Sequence, residues 1–201
     1  MLRRTLFPLL NIMKVFFDVD ETLVHTERGA YCSHAKELPN CLDYFTVERP
    51  CAKRLISFAR ENFGAENVFL LSIGTKDYIS GLNEMLGWKF DPENIFARED
   101  LEKHTRVFPT EYGGQHHEVD PHIYASTSNV LIDNLPCRDN SVKINFIGIH
   151  STCDTNYLTV RDYYGLVDEG CDEEFFNYVK DFLKFKKGVE SKINLRLHHK
   201  S

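Results

Sequence analysis

Three short apolar runs, each ending in a polar or acidic residue, punctuate the chain. Val15, Phe16 and Phe17 lead into Asp18, Asn67 to Leu71 into Ser72, and Asn129 to Ile132 into Asp133. Runs that are apolar at every position suit strands buried on both faces of a parallel sheet. Between them the period lengthens. After Arg49 and Pro50, the residues Leu55, Ile56, Phe58, Ala59 and Phe63 recur at helical spacing, with Pro50 suited to a first turn and Gly64 to a stop. Ile79, Leu82 and Met85 predict a second helix from Lys76 to Leu86. A further short strand is expected at Asn94 to Ala97, a short helix from Val119 to Ala125, and another strand at Ile144 to Ile149. Phe175, Phe176, Val179, Phe182 and Leu183 predict an amphipathic closing helix from Asp172 to Phe185. The polar stretch HTERGAYCSHAKELPNCLDYF after the first strand reads either as a flap over the strand ends or as plain connection.

Strands alternating with helices imply an α/β fold with a doubly wound parallel sheet, in which ligands sit beyond the carboxyl ends of the strands. Asp18 with Asp20, Ser72, and Asp133 with Asn134 therefore belong to one candidate site.

With 201 residues, 42% of them apolar, the chain can build one substantial core. The expected division is an extension over residues 1–12, a catalytic domain over 13–190 and a basic tail over 191–201. Met13 abuts the first strand, so the working protein is expected to begin there, which the intact mass of native protein would check. The first residues combine Arg3 and Arg4 with an apolar run, but Pro8 and Asn11 interrupt it and no small-residue cleavage site follows. No segment reaches the roughly eighteen consecutive apolar residues of a membrane-spanning helix.

The net charge of −6 is spread along the chain, which gives no global field for polyanions. The lysines and Arg196 between Lys180 and Lys200 are a local exception, read as a solvated helix end and tail. Cys32, Cys41, Cys51, Cys137, Cys153 and Cys171 form no C-x-x-C pair, against both a zinc ribbon and a small disulfide scaffold. Reduced thiols in a cytoplasmic protein, or a nuclear one in a eukaryote, are the expectation.

The strand ends carry the chemistry of phosphate-ester cleavage. A phosphate monoester repels nucleophiles, so an enzyme must neutralise its charge, place an attacking group in line and protonate the leaving oxygen. Residues i and i+2 at a strand exit can face one cleft, which lets Asp18 attack phosphorus while Asp20 serves as acid and then base. Magnesium would hold the anions together, with Asp133 as a second carboxylate and Asn134 as a neutral oxygen. Ser72 and the backbone N–H groups of Gly74, Thr75 and Lys76 would meet the phosphate oxygens.

The run Asp18, Val19, Asp20, Glu21, Thr22, Leu23, Val24, His25 resembles the first motif of the haloacid dehalogenase superfamily, D-x-D-x-T after an apolar strand. FLLS ending at Ser72 resembles the second motif and VLIDN ending at Asn134 the fourth, so the likeness spans roughly residues 14 to 150. DETLVH, the helix opened by Arg49 and Pro50, and the pair Asp133 and Asn134 most resemble the phosphatases of the RNA polymerase carboxy-terminal domain and their small relatives. A threonine-rich second motif, common in that group, is missing. The resemblance implies Asp18 as nucleophile, Asp20 as acid/base, Thr22 as its orienting group, and a Mg2+ ion held by Asp18, the backbone carbonyl of Asp20, and Asp133 or Asn134.

The third motif, a basic residue, has no match close upstream of Asp133, since no lysine lies between Lys103 and Lys143. Lys103 is the first candidate, Arg106 the second and His117 the third, the last as an imidazolium. His116, His117 and His122 read as loop histidines rather than a transition-metal site.

The insertion after the first motif is short, which implies a capless or flap-only enzyme with an open site. The expected function is a Mg-dependent phosphomonoester phosphatase acting on a phosphorylated substrate, with a phosphoprotein as the first candidate. The competing readings are a phosphatase for nucleotides or nucleic-acid ends, and a non-catalytic phosphate-binding module. The oligomeric state is left open.

Overall fold

The computed structural model describes residues 13–29, 33–39, 41–101, 105–109, 115–119, 129–133, 157–159 and 169–198. Along the chain, β1 (Val15–Asp18) is followed by β2 (Val24–Arg28), β3 (Lys36–Leu38) and β4 (Cys41–Glu48). Then come α1 (Ala52–Phe63), β5 (Val68–Leu71), α2 (Lys76–Leu86), β6 (Ile95–Phe96) and α3 (Arg98–Leu101). After these lie β7 (Thr105–Pro109), β8 (Gln115–Val119), β9 (Val130–Asp133), β10 (Tyr157–Thr159) and α4 (Glu169–His198).

The apolar runs pair as expected into a parallel sheet of order β10-β9-β1-β5-β6. From central β1 the chain moves outward to β5 and β6, then returns to the other side for β9 and β10. That reversal puts the topological switch point between β1 and β9, where doubly wound sheets open their ligand crevice.

The two-residue pleat explains why these strands are apolar throughout. Val15, Phe17, Val68, Leu70, Val130 and Ile132 belong to one core that includes α1, α2 and α4. Phe16, Phe69, Leu71 and Leu131 belong to a second core with Leu101 of α3, and Phe16 and Phe69 stack at 4.9 Å between centroids.

α2 has the expected limits. Thr75 caps its start, accepting from the Tyr78 N–H at 3.4 Å, and Gly87 ends it in the left-handed region at φ 69°. α1 begins at Ala52, just after Pro50, and closes on Gly64. The polar stretch after β1 is a flap. β2, β4 and β3 form a three-stranded antiparallel sheet, with Thr26 of β2 directly opposite Thr46 of β4.

Two expectations change. Residues 105–109 and 115–119 pair as antiparallel strands, β7 with β8, that no alternation announced; Val119 ends the second of them, and the rest of the helix expected up to Ala125 lies outside the described residues. α4 is a 30-residue helix that continues through residues 191–198, the stretch read as a tail. Gly188 does not stop it. α4 lies parallel to α1. Arg54 near the start of α1 pairs with Glu173 at 2.7 Å, and Asn62 near its end accepts from Lys187 at 3.3 Å. Since α1 leads into the start of β5, the basic end of α4 travels toward the edge of the sheet opposite the strand carboxyl ends.

Among the described residues no helix is long and apolar enough to cross a membrane. Residues 1–12, the strand expected at Ile144 to Ile149, Lys103, Asn134 and Cys137 lie outside the described residues, as do the side chains of Arg106 and His117.

Candidate active site

The turn after β1 shapes the site. The N–H groups of Leu23 and Val24 both donate to the Val19 carbonyl, at 2.8 and 3.1 Å, and the Glu21 N–H donates to the Val24 carbonyl at 2.8 Å. Closing so tight a loop forces Glu21 to a positive φ of 58°, a conformation that costs a non-glycine residue about 1–2 kcal/mol. Three consequences follow: Leu23 is driven into the core, Thr22 is fully buried with its hydroxyl donating to Asp18, and Asp20 is turned toward α2.

Asp18 ends β1 and Asp133 ends the adjacent β9, one residue beyond the paired Phe17 and Ile132. Parallel neighbours lie about 4.8 Å apart, so the two carboxylates leave the sheet side by side. Burial, then the charge of Asp133, then that of Asp20 push the Asp18 carboxyl well above the ordinary carboxylate range, while the Thr22 hydroxyl and the Val19 N–H pull it down. Among the described residues no basic side chain contributes to this balance.

Asp20 is held on both oxygens. Tyr78 of α2 bonds its Oδ1 at 2.5 Å, and the Ser72 hydroxyl donates to Oδ2 over a long 3.4 Å. Burial raises its pKa; the hydrogen bonds from Tyr78 and Ser72, and the His25 charge, act against that rise. His25 is itself held by Glu21 at 2.9 Å. Behind Tyr78 the hydroxyls continue into the flap: Tyr78 to Thr26 at 2.9 Å, Thr26 to Thr46 at 2.9 Å, and Thr46 donating to the His25 carbonyl at 3.1 Å.

The strand ends thus bring Asp18, Asp20, Thr22, Ser72 and Asp133 together. Two expectations are corrected. Thr22, expected to orient Asp20, instead donates its hydroxyl to Asp18. The N–H groups at the start of α2 were assigned to phosphate, yet the Gly74 N–H donates to the Ser72 hydroxyl at 2.9 Å and the Lys76 N–H to the Glu99 carboxylate at 2.8 Å. α3 carries Glu99 and Asp100 to the positive end of α2, where acidic groups are favoured, and Asp100 also takes the Lys76 ammonium at 3.2 Å. Tyr78, Thr26 and Thr46 were not foreseen. The available signal was Tyr78 at the head of the stripe shared with Leu82 and Met85, an aromatic residue whose hydroxyl reaches past the helix toward a strand end.

The donor set suits a hard cation. Asp18 and Asp133 are oxygen donors that repel each other, and a divalent ion between them would reverse the repulsion. Among the described residues no three His, Cys, Asp or Glu side chains group as a metal site.

The charge balance at Asp18 is expected to show in the pH dependence of stability. A carboxyl whose folded pKa lies above its unfolded value near 4 binds protons more tightly when folded, so its contribution is greatest in acid and lost as pH rises through the folded pKa. In chelator, Asp18→Asn is expected to melt above wild type at neutral pH, with the gap closing as the pH falls toward about 4. A gap independent of pH would contradict the repulsion.

No family model matches the chain, and no curated protein does. Among solved structures it is similar to a variant of Fcp1, the fission yeast RNA polymerase II CTD phosphatase, bound to beryllium fluoride. The two are 13% identical, the match covers 93% of this chain and 56% of that one, and the TM-score is 0.41. The chain therefore spans little more than half the length of that neighbour.

Proposed function

We propose that this chain is a magnesium-dependent phosphomonoester phosphatase of the haloacid dehalogenase type, working through a phosphorylated Asp18. One observation carries the reading: Asp18 and Asp133 leave adjacent central strands at the switch point, with Asp20 turned in beside them.

An Asp18 oxygen attacks phosphorus and the ester P–O bond breaks, while Asp20 gives its proton to the departing oxygen. Asp20, now a carboxylate, takes a proton from water as that water attacks the phosphorus of the acyl phosphate. Inorganic phosphate leaves and Asp18 is restored. Thr22 fixes the Asp18 carboxylate throughout by its buried hydrogen bond. Asp18, the carbonyl of Asp20, and Asp133 with Asn134 would hold the Mg2+ ion, which supplies positive charge against the phosphate and the attacking carboxylate. Lys103, Arg106 and His117 remain the candidates for a basic group facing the phosphate.

A phosphoprotein is the favoured substrate class. The insertion after β1 is a small three-stranded flap, which suits an open cleft. A basic tail lining that cleft would favour the nucleic-acid reading, whereas α4 takes Lys187 to the far end of α1. The test is hydrolysis of 4-nitrophenyl phosphate with Mg2+, expected to vanish in chelator and return with excess Mg2+. A phosphoserine peptide should turn over faster than a 3′-phosphorylated oligonucleotide. Binding of phosphate mimics without metal-dependent turnover of any ester would defeat the proposal.

A further inference from the structure

Asp20 must work twice in this cycle, first as an acid and then as a base, and it must stay in place through both. The group that holds Oδ1 is the hydroxyl of Tyr78, which donates to that oxygen and leaves Oδ2 to gain and lose a proton.

Tyr78, Thr26 and Thr46 each carry one hydroxyl hydrogen, and their contacts run from Asp20 at one end to the His25 carbonyl at the other. Tyr78 donates to Asp20 and Thr26 to Tyr78, while the Thr46 hydroxyl lies within reach of both Thr26 and the His25 carbonyl. A proton on Oδ2 leaves Oδ1 an acceptor, so the same arrangement holds Asp20 as a carboxylate and as a carboxylic acid. No heavy atom has to move between the two states. The anchor is firm because Thr26 and Thr46 sit directly opposite each other on β2 and β4 and Thr46 is fully buried.

We infer that Tyr78, anchored by Thr26 and Thr46 of the flap, is the positioning residue that holds Asp20 in place through both its acid and its base states. The inference rests on the phosphatase reading. It deepens that reading by making the flap a structural support of the proton-transfer group as well as a cover. Ser72, at 3.4 Å from the other oxygen, is the looser contact, so Oδ2 is the oxygen left to exchange a proton with substrate.

The experiment compares two esters on each enzyme preparation with Mg2+ present. 4-Nitrophenolate departs without help, whereas an alkoxide such as that of 2-glycerophosphate needs the proton from Asp20. kcat/KM reports the step in which the ester bond breaks, and the ratio of the two values does not depend on how much protein is folded. For Tyr78→Phe, kcat/KM on 2-glycerophosphate is expected to fall about tenfold or more, a part of the 10²–10⁴-fold that general acid–base catalysis supplies, against less than about threefold on 4-nitrophenyl phosphate. Thr26→Val, which keeps Tyr78 but removes its anchor, should shift the ratio in the same direction by less, and Thr26→Ser should restore it.

Equal losses on both esters in Tyr78→Phe, or an unchanged ratio in both Tyr78→Phe and Thr26→Val, would overturn the inference. The phosphatase reading would stand in those cases, provided that Asp18→Asn still abolishes wild-type turnover of both esters. A wild-type protein that hydrolyses neither ester overturns the two together.

Discussion

Asp18→Asn is expected to reduce magnesium-dependent hydrolysis of every phosphate ester by about 10⁴-fold or more, the scale seen when a covalent nucleophile is removed. The amide keeps the shape of the carboxylate and can still accept from Thr22, but it cannot form the acyl phosphate. Removing one of three crowded acidic groups also relieves repulsion, so the loss of turnover should come without loss of fold. Two measurements together check this. Steady-state rates on 4-nitrophenyl phosphate give the size of the effect, and hydroxylamine-labile labelling by a ³²P-phosphate ester should appear in wild type and be missing from the variant. Retention of more than about a tenth of wild-type turnover would rule out Asp18 as the nucleophile.

Phe17→Ala is expected to cost about 3–5 kcal/mol, the usual range for truncating a fully buried aromatic side chain. Phe17 is fully buried in the central strand, paired with Leu70 on one side and Ile132 on the other, and belongs to the larger core. A small domain has roughly 5–15 kcal/mol in total, so the variant should lie near the edge of folding. Urea unfolding gives the difference directly. Because Phe17 immediately precedes Asp18, residual folded protein should also be slower. A loss under about 1 kcal/mol would mean that β1 is not the centre of the core.

Much of this architecture is legible in the order of residues because burial leaves a local signature. β1, β5 and β9 are apolar on both faces, which is how a strand between two helical layers reads, and α2 follows from the repeat of Ile79, Leu82 and Met85 with Thr75 and Gly87 at its ends. β7 and β8 left no such trace, since Arg106, His116 and His117 interrupt any apolar alternation. α4 was underestimated for a related reason: glycine and lysines after Leu183 resemble an ending, although the helix continues beyond them.

The order of residues names the chemical groups: carboxylates at Asp18, Asp20 and Asp133 and a hydroxyl at Ser72, at or just beyond the ends of buried strands. They are legible because a strand's apolar run and its terminal residue are neighbours in the chain. Which of these groups meet is a matter of packing. The order β10-β9-β1-β5-β6 puts Asp133 beside Asp18, the helix after Ser72 brings Tyr78 onto Asp20, and α3 lays Glu99 on the Lys76 N–H that the local pattern had left open. Such contacts depend on the placement of whole elements to within a few ångströms. That placement is set by the packing of the entire core, which no short stretch of residues encodes.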